Sequence, residues 1–169
     1  MTSIKFNYLL SFFAILLFTG CGVYSFTGAS IPPEARTVTI TYFTNNAQYI
    51  EPSLSQSITD ALRDRFQTQT DLDFITEGGD LQMEGYITDY STRPVAIQGN
   101  ETAALNRLTI TVKVKFTNLI DPTKDFESSF TRFEDYPSSE DLSAVKDQLI
   151  VSINEALVDD IFNKAVVNW

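Results

Sequence analysis

Apolar and polar residues alternate most cleanly over residues 107–117, RLTITVKVKFT. Leu108, Ile110, Val112, Val114 and Phe116 fall on one face, and Arg107, Thr109, Thr111, Lys113, Lys115 and Thr117 on the other. A period of two predicts a strand with one face in the core and one wet or partner-facing, as in an antiparallel sheet. Residues 37–43, TVTITYF, alternate in the same way, with Val38, Ile40 and Tyr42 together, and Asn45 and Asn46 mark the turn that follows. Residues 80–91 predict a further strand, with Leu81, Met83 and Ile87 on one face and Tyr86 and Tyr90 on the other. Gly85 within it marks a bulge or a close approach. Pro94 and Gly99 make residues 92–103 a connecting loop. Asp121-Pro122-Thr123-Lys124 is a turn, so residues 125–136 should pair back antiparallel. There Phe126 and Phe130 share a face, while Phe133 has the opposite parity, which implies a bulge or a strand aromatic on both sides. Residues 71–76 form a short strand or an extended entry segment, closed by the turn Glu77-Gly78-Gly79-Asp80.

Two stretches carry a helical period instead. Leu54, Ile58, Ala61, Leu62 and Phe66 make one stripe over 53–67. Ser53 is placed to cap it, with Gln56 as the return partner of a capping box. Arg63 and Arg65 read as a solvated helix face more readily than as a binding pair. After Pro137, Ser138 or Ser139 can cap a long final helix with Glu140 and Asp141 in its first turn. Leu142, Val145, Leu149, Ile153, Ala156, Leu157 and Ile161 sustain it for roughly 25 residues. The expected fold is α+β: a two-layer α/β sandwich with two helices packed on a mixed, mostly antiparallel sheet of about four strands.

The N-terminus has a different pattern. Lys5 precedes an apolar run from Tyr8 to Phe18, broken only by Ser11, and Thr19-Gly20 leads into Cys21, the one cysteine of the chain. A positive charge, a short apolar stretch and small residues make a secretory signal peptide. A spanning helix needs ~20 apolar residues, about twice what is here. With the cysteine just past the cut, the segment resembles a bacterial lipoprotein signal in which Cys21 receives lipid, although Phe18 stands where leucine is usual. Gly22 follows Cys21 where an aspartate would mark inner-membrane retention in many Gram-negative bacteria, so the resemblance favours the outer membrane. The expected organisation is a signal peptide over 1–20, a lipidated tether over 21–36 and a single domain over 37–169.

Removing residues 1–20 leaves 11 basic and 22 acidic residues, a net charge of −11. That excludes the basic footprint of a nucleic-acid binder. The chain has no histidine. Ser-His-Asp triads and His-ligated metal sites are therefore excluded, and with Cys21 lipidated there is neither a thiol nucleophile nor a disulfide. The Gly78-Gly79 pair has no helical pattern after it, so it makes a poor phosphate loop. Asp71 and Asp73, or Asp159 and Asp160, lack the spacing of a calcium loop. No cofactor or metal is expected.

The string CGVYSFTGASIPPEA from Cys21 to Ala35, together with the strand 37–43 and the strand–helix–strands–helix order, resembles the lipopolysaccharide-assembly lipoprotein family LptE in its Bacteroidetes-type form. The resemblance implies a non-enzymatic protein, anchored at the inner leaflet of the outer membrane, that sits in the lumen of the large β-barrel LptD. It also implies help with assembly of that barrel and with lipopolysaccharide insertion, in some members with direct lipopolysaccharide contact through basic residues near one end of the sheet.

Candidate contact residues follow from charge. Residues 102–120 contain no acid yet hold Arg107, Lys113 and Lys115, with Arg93 in the preceding segment. Arginine and lysine suit lipopolysaccharide phosphates through charge-assisted hydrogen bonds. The competing reading is a solvated strand face whose lysines meet Glu84 or Glu127 across the sheet. An auxiliary lipoprotein of an ABC-type lipid transport system is the alternative function, sharing size, anchor and layout. A lipid-anchored hydrolase is disfavoured because the elbow Gly-x-Ser-x-Gly is absent.

Overall fold

The computed structural model describes residues 31–95 and 104–167. The lipoprotein-type signal, Cys21, most of the proposed tether and the 96–103 segment lie outside them. In chain order the elements are β1 (Thr37–Ile40), β2 (Thr44–Asn45), α1 (Leu54–Gln69), β3 (Asp73–Phe74), β4 (Leu81–Val95), β5 (Leu105–Asn118), a 3-10 turn (Pro122–Lys124), β6 (Phe126–Pro137) and α2 (Leu142–Phe162). Helix α2 runs on into a π-helical turn, Asn163–Val167.

The sheet has the order β3-β1-β4-β5-β6, with β2 beside β4. Strands β1 and β2 run parallel to β4, and β3 runs parallel to β1, whereas β4, β5 and β6 form an antiparallel meander. The mixed α+β sandwich expected from the pattern is present, with six strands in place of about four. The two additional pieces are β2 and β3, each two residues long; β3 lies in the 71–76 segment expected as a short strand or an extended entry, whereas β2 is too short to leave a periodic signal.

Both helices lie on one face. Leu54, Ile58, Leu62 and Phe66 of α1 and Ile150, Ile153, Leu157, Ile161 and Phe162 of α2 are buried against Leu81, Met83 and Ile87 of β4 and the five apolar residues of β5. Phe66 and Phe162 meet edge to face at 5.1 Å, the arrangement favoured by ring quadrupoles. Ile31 packs against this core, and buried Ala35 leads into β1.

Several local expectations are corrected. The 53–67 helix forms, but without its capping box: Ser53 has helical dihedrals and makes no side-chain cap. Its hydroxyl instead donates to Glu51, and Gln56 donates to Asp60. The final helix is capped by Asp141, whose carboxylate accepts the Ser143 N–H at 2.8 Å. Ser138 and Ser139 lie ahead of the cap position, with the Ser138 N–H donating to the Ala104 carbonyl. Strand β4 runs on to Val95, through what reads as a loop. It outruns β2 there and has only β5 as neighbour, and an edge tolerates Pro94, which lacks an N–H.

Two single-residue insertions redirect side chains. Ile40 pairs Met83 and Thr44 pairs Tyr86, so four steps along one strand oppose three along the other. The extra residue reverses parity, leaving Tyr42 51% exposed and turning Phe43 into the core at 0%. Phe43 then covers Gly85, where a Cβ would collide with its ring. Gly85 thus marks the close approach and not a bulge. The bulge lies between Ile87 and Asp89, and it moves Tyr90 from the expected wet face to pack against the core. Strand β6 needs no bulge, because its register with β5 is continuous and Phe133 stands on the open face, 49% exposed.

The predicted 77–80 turn forms, with Gly78 at φ +75°, a region that glycine enters at little cost. Asp80 Oδ2 accepts the N–H groups of Arg36 and Thr37 and the Thr37 hydroxyl, at 2.8–2.9 Å. These bonds, the Arg36 N–H first, hold the Asp80 carboxyl below its ordinary value of 3.8. A carboxylate with a depressed folded pKa adds stability above its unfolded pKa, and that stability is lost as pH falls through the folded value. Asp80→Asn is therefore expected to lower Tm at neutral pH and to flatten the loss of Tm on acidifying below about pH 4. Thermal melts of both proteins from pH 7 to pH 3 check this.

Candidate functional site on the open sheet face

The face of β4-β5-β6 turned away from the helices is built by alternation along each strand, shifted by one residue in β4 at its bulge. Where Leu108, Ile110, Val112, Val114 and Phe116 point into the core, their neighbours point out. Cross-strand registers arrange the outward residues in rows. Glu84, Lys115 and Glu127 make one row, Tyr86, Lys113 and Ser129 the next, then Asp89, Thr111 and Thr131, and at the far end Arg93, Arg107 and Asp135. All four candidate residues, Arg93, Arg107, Lys113 and Lys115, thus share one face. Lys113 and Lys115 stand at one end of it, and Arg93 and Arg107 at the other, directly opposite each other.

The acid-free run of the sequence meets acids from the neighbouring strands. Lys113 Nζ lies 2.5 Å from Glu127 Oε1, and Lys115 Nζ lies 3.5 Å from Glu84 Oε1. Arg107 makes a two-pronged pair with Asp135 at 2.7 and 2.9 Å and stacks over Phe133 at 3.6 Å from its centroid. The Asp135 hydrogen bond raises the Arg107 pKa, and the Glu127 hydrogen bond raises that of Lys113. The two carboxyls are lowered in return. Between the charged ends, the Thr111 and Thr131 hydroxyls share a hydrogen bond of 2.9 Å. A shallow depression of about 240 Å³ opens beside the lysines, walled by Thr41, Gly85 and Tyr86. Arg93 has no hydrogen-bond or ion-pair partner among the described residues. Asp135 is the member that sequence reasoning overlooked. The β5–β6 connection is not centred on the 121–124 turn, and counting symmetrically through that turn sets Ser138 opposite Arg107, so the pairing with Asp135 came from the observed register.

The remaining charged candidates are structural. Arg63 donates to the Ile40 carbonyl at 2.9 Å. Arg65 pairs with Asp159, and Arg132 forks onto Asp160 at 2.6 Å, so both aspartates brace elements of this domain. Ser143 and Lys146 have the Ser-x-x-Lys spacing of a Ser–Lys hydrolase pair, which sequence reasoning overlooked, but Lys146 Nζ is held by Glu51 at 2.8 Å. Among the described residues no cluster of acids, histidines or cysteines has the makings of a metal site, and no helix is long and apolar enough to cross a membrane.

A family model described as LptE, lipopolysaccharide-assembly, matches residues 35–165, the whole sandwich from buried Ala35 to the end of α2 and beyond. The chain belongs to the LptE family. Its LptE membership makes it a cell-envelope lipoprotein of lipopolysaccharide assembly, in a family that is not enzymatic. No curated protein matches the chain in sequence. Among solved structures, a putative neuraminyllactose-binding hemagglutinin homolog from Helicobacter pylori is 10% identical with a TM-score of 0.51, covering 83% of this chain and 88% of that one. At that identity the likeness is one of fold. A minor lipoprotein from Acinetobacter baumannii is 10% identical with a TM-score of 0.47, covering 78% and 96%. The rare lipoprotein B from Shewanella oneidensis is 11% identical with a TM-score of 0.45, covering 76% and 90%.

Proposed function

We propose that this LptE-family protein is cleaved after Gly20, lipidated on Cys21 and held at the periplasmic face of the outer membrane, where it seats its sandwich in the lumen of an LptD-type β-barrel. It acts there as a plug and assembly partner in lipopolysaccharide insertion. The observation that carries the reading is the family match over residues 35–165. The open sheet face supports it, because a rigid surface of threonine rows and matched ion pairs suits a polar barrel interior.

The same face supports lipopolysaccharide contact through Arg93, Arg107, Lys113 and Lys115. The present partners of Arg107, Lys113 and Lys115 are exposed carboxylates, and exposed pairs contribute only ~0–1 kcal/mol each. A phosphate that engages two arginines at once, at the Arg93–Arg107 end, can displace them.

The test is a mild-detergent pull-down of the full-length protein from its native envelope, with intact-mass identification of what co-elutes. A stoichiometric outer-membrane β-barrel is the expected result. Recovery of a transport ATPase complex would instead make this an auxiliary lipoprotein of lipid transport, and recovery of no partner would also overturn the barrel reading.

A further inference from the structure

The connection between β5 and β6 is tightly built, yet it displays two large aliphatic side chains. Asn118 is fully buried. Its Oδ1 accepts the N–H groups of both Ile120 and Asp121 at 2.9 Å, and its own N–H donates to Asp125 at 2.7 Å. Asp121 accepts both the N–H and the hydroxyl of Thr123. These bonds hold Leu119 and Ile120 outward, 56% and 40% exposed. Connections of this kind favour small polar residues, so two fixed aliphatics at the apex call for something apolar to meet them.

Their position says what that is. The Leu119 N–H donates to the Asp80 carbonyl at 2.9 Å, and the Asp80 carboxylate holds the N–H groups of Arg36 and Thr37. The apex therefore sits beside Arg36 and Thr37, where the chain enters β1 from its N-terminal side. Ile31 stands ten residue steps from Cys21, a reach of at most about 35 Å.

We propose that, in the lipid-tethered protein before a barrel takes up the sandwich, Leu119 and Ile120 form a membrane-contact corner that rests on the surface of the bilayer holding the N-terminal lipid, and so limits how the tethered domain tilts. This rests on the reading that Cys21 carries the anchor. The tether makes the contact intramolecular, with an effective concentration of order mM, so two side chains suffice where a free protein would not stay bound. The net charge of −11 disfavours anionic lipid, so the contact is apolar, against a zwitterionic surface.

The test couples the chain from Cys21 onward, which keeps every described residue, through its one thiol to maleimide-headgroup lipid. The vesicles are phosphatidylcholine with brominated acyl chains. In a Trp169→Phe background, a single tryptophan is placed by Leu119→Trp or, separately, by Ile120→Trp, both at exposed positions that should tolerate it. Loss of more than half of its emission to bromine quenching is expected, against little loss for a Thr109→Trp control in the middle of the open face. Quenching no greater than in that control overturns the proposal. So does an emission shift that appears without vesicles, which would make the corner a contact between protein copies. The coupling is chemical, so the outcome does not depend on whether the cell lipidates Cys21, which a mass measurement decides separately.

Discussion

Gly85→Val is expected to cost the domain ~3 kcal/mol or more, enough to lower Tm by roughly 10 °C. The backbone at Gly85 is squeezed from two sides. A Cβ there would run into the Phe43 ring and come within 2.8 Å of the Lys113 carbonyl. That carbonyl belongs to β5, in the middle of the sheet, and cannot retreat without breaking the ladder. Phe43 cannot retreat either, because it is fully buried and its N–H donates to Thr59 of α1 at 3.1 Å. Phe43→Ala removes a buried aromatic and should itself cost ~3–5 kcal/mol. The two changes share one space, so in a Gly85→Ala, Phe43→Ala cycle the double variant should be destabilised by clearly less than the sum of the singles. Denaturant unfolding of the four proteins measures this. Strict additivity would show that Phe43 does not cover Gly85.

The second large effect concerns location. On the proposed reading, Cys21→Ala is expected to abolish the lipid adduct and remove the protein from the outer-membrane fraction. Each buried methylene of an acyl chain contributes ~0.8 kcal/mol, and more than one chain is needed for stable anchoring. Among the described residues nothing replaces that anchor: no helix can span, and the whole chain carries a net charge of −10. The Leu119–Ile120 corner is too small to hold the domain once the tether is unattached. Intact-mass analysis of the envelope protein should show a parent that begins at residue 21 and carries added lipid, and a variant without it. A variant that fractionates with the outer membrane like its parent would refute the assignment of Cys21.

The strands and helices that carry long periodic stripes were readable because each stripe is local. Strand β5 alternates in sequence for the same reason that it alternates in space. Helix α1 and most of α2 likewise follow from their apolar spacing. The misreadings fall at places where one residue changes parity. Nothing in Thr41-Tyr42-Phe43 reveals that β1 breaks and resumes as β2 one residue out of step. Nothing in the 80–91 segment reveals that the extra residue falls at Thr88. Caps failed as well. Ser53 has the right chemistry, but its hydroxyl turns to Glu51 two residues away, and Ser138 lies too far ahead of Leu142, where the final helix starts, to cap it.

The candidate site divides the same way. The sequence by itself determined which side chains of β5 share the open face, because the two-residue period of a strand assigns every second position to one side. It also determined, through its motifs, the family to which the chain belongs. The pairing of the lysines with Glu84 and Glu127 is already one of two readings of the sequence; only the tertiary structure decided between them and set Arg107 on Asp135. An acid-free stretch of sequence looks like a basic island, but each strand in a sheet borrows the charges of its neighbours about 5 Å away. Lys113 met Glu127, Lys115 met Glu84 and Arg107 met Asp135, while Arg93, at the end of β4, met Arg107 across the ladder. Local periodicity sets which way a side chain points, whereas its electrostatic surroundings are set by residues as far as about thirty positions away along the chain.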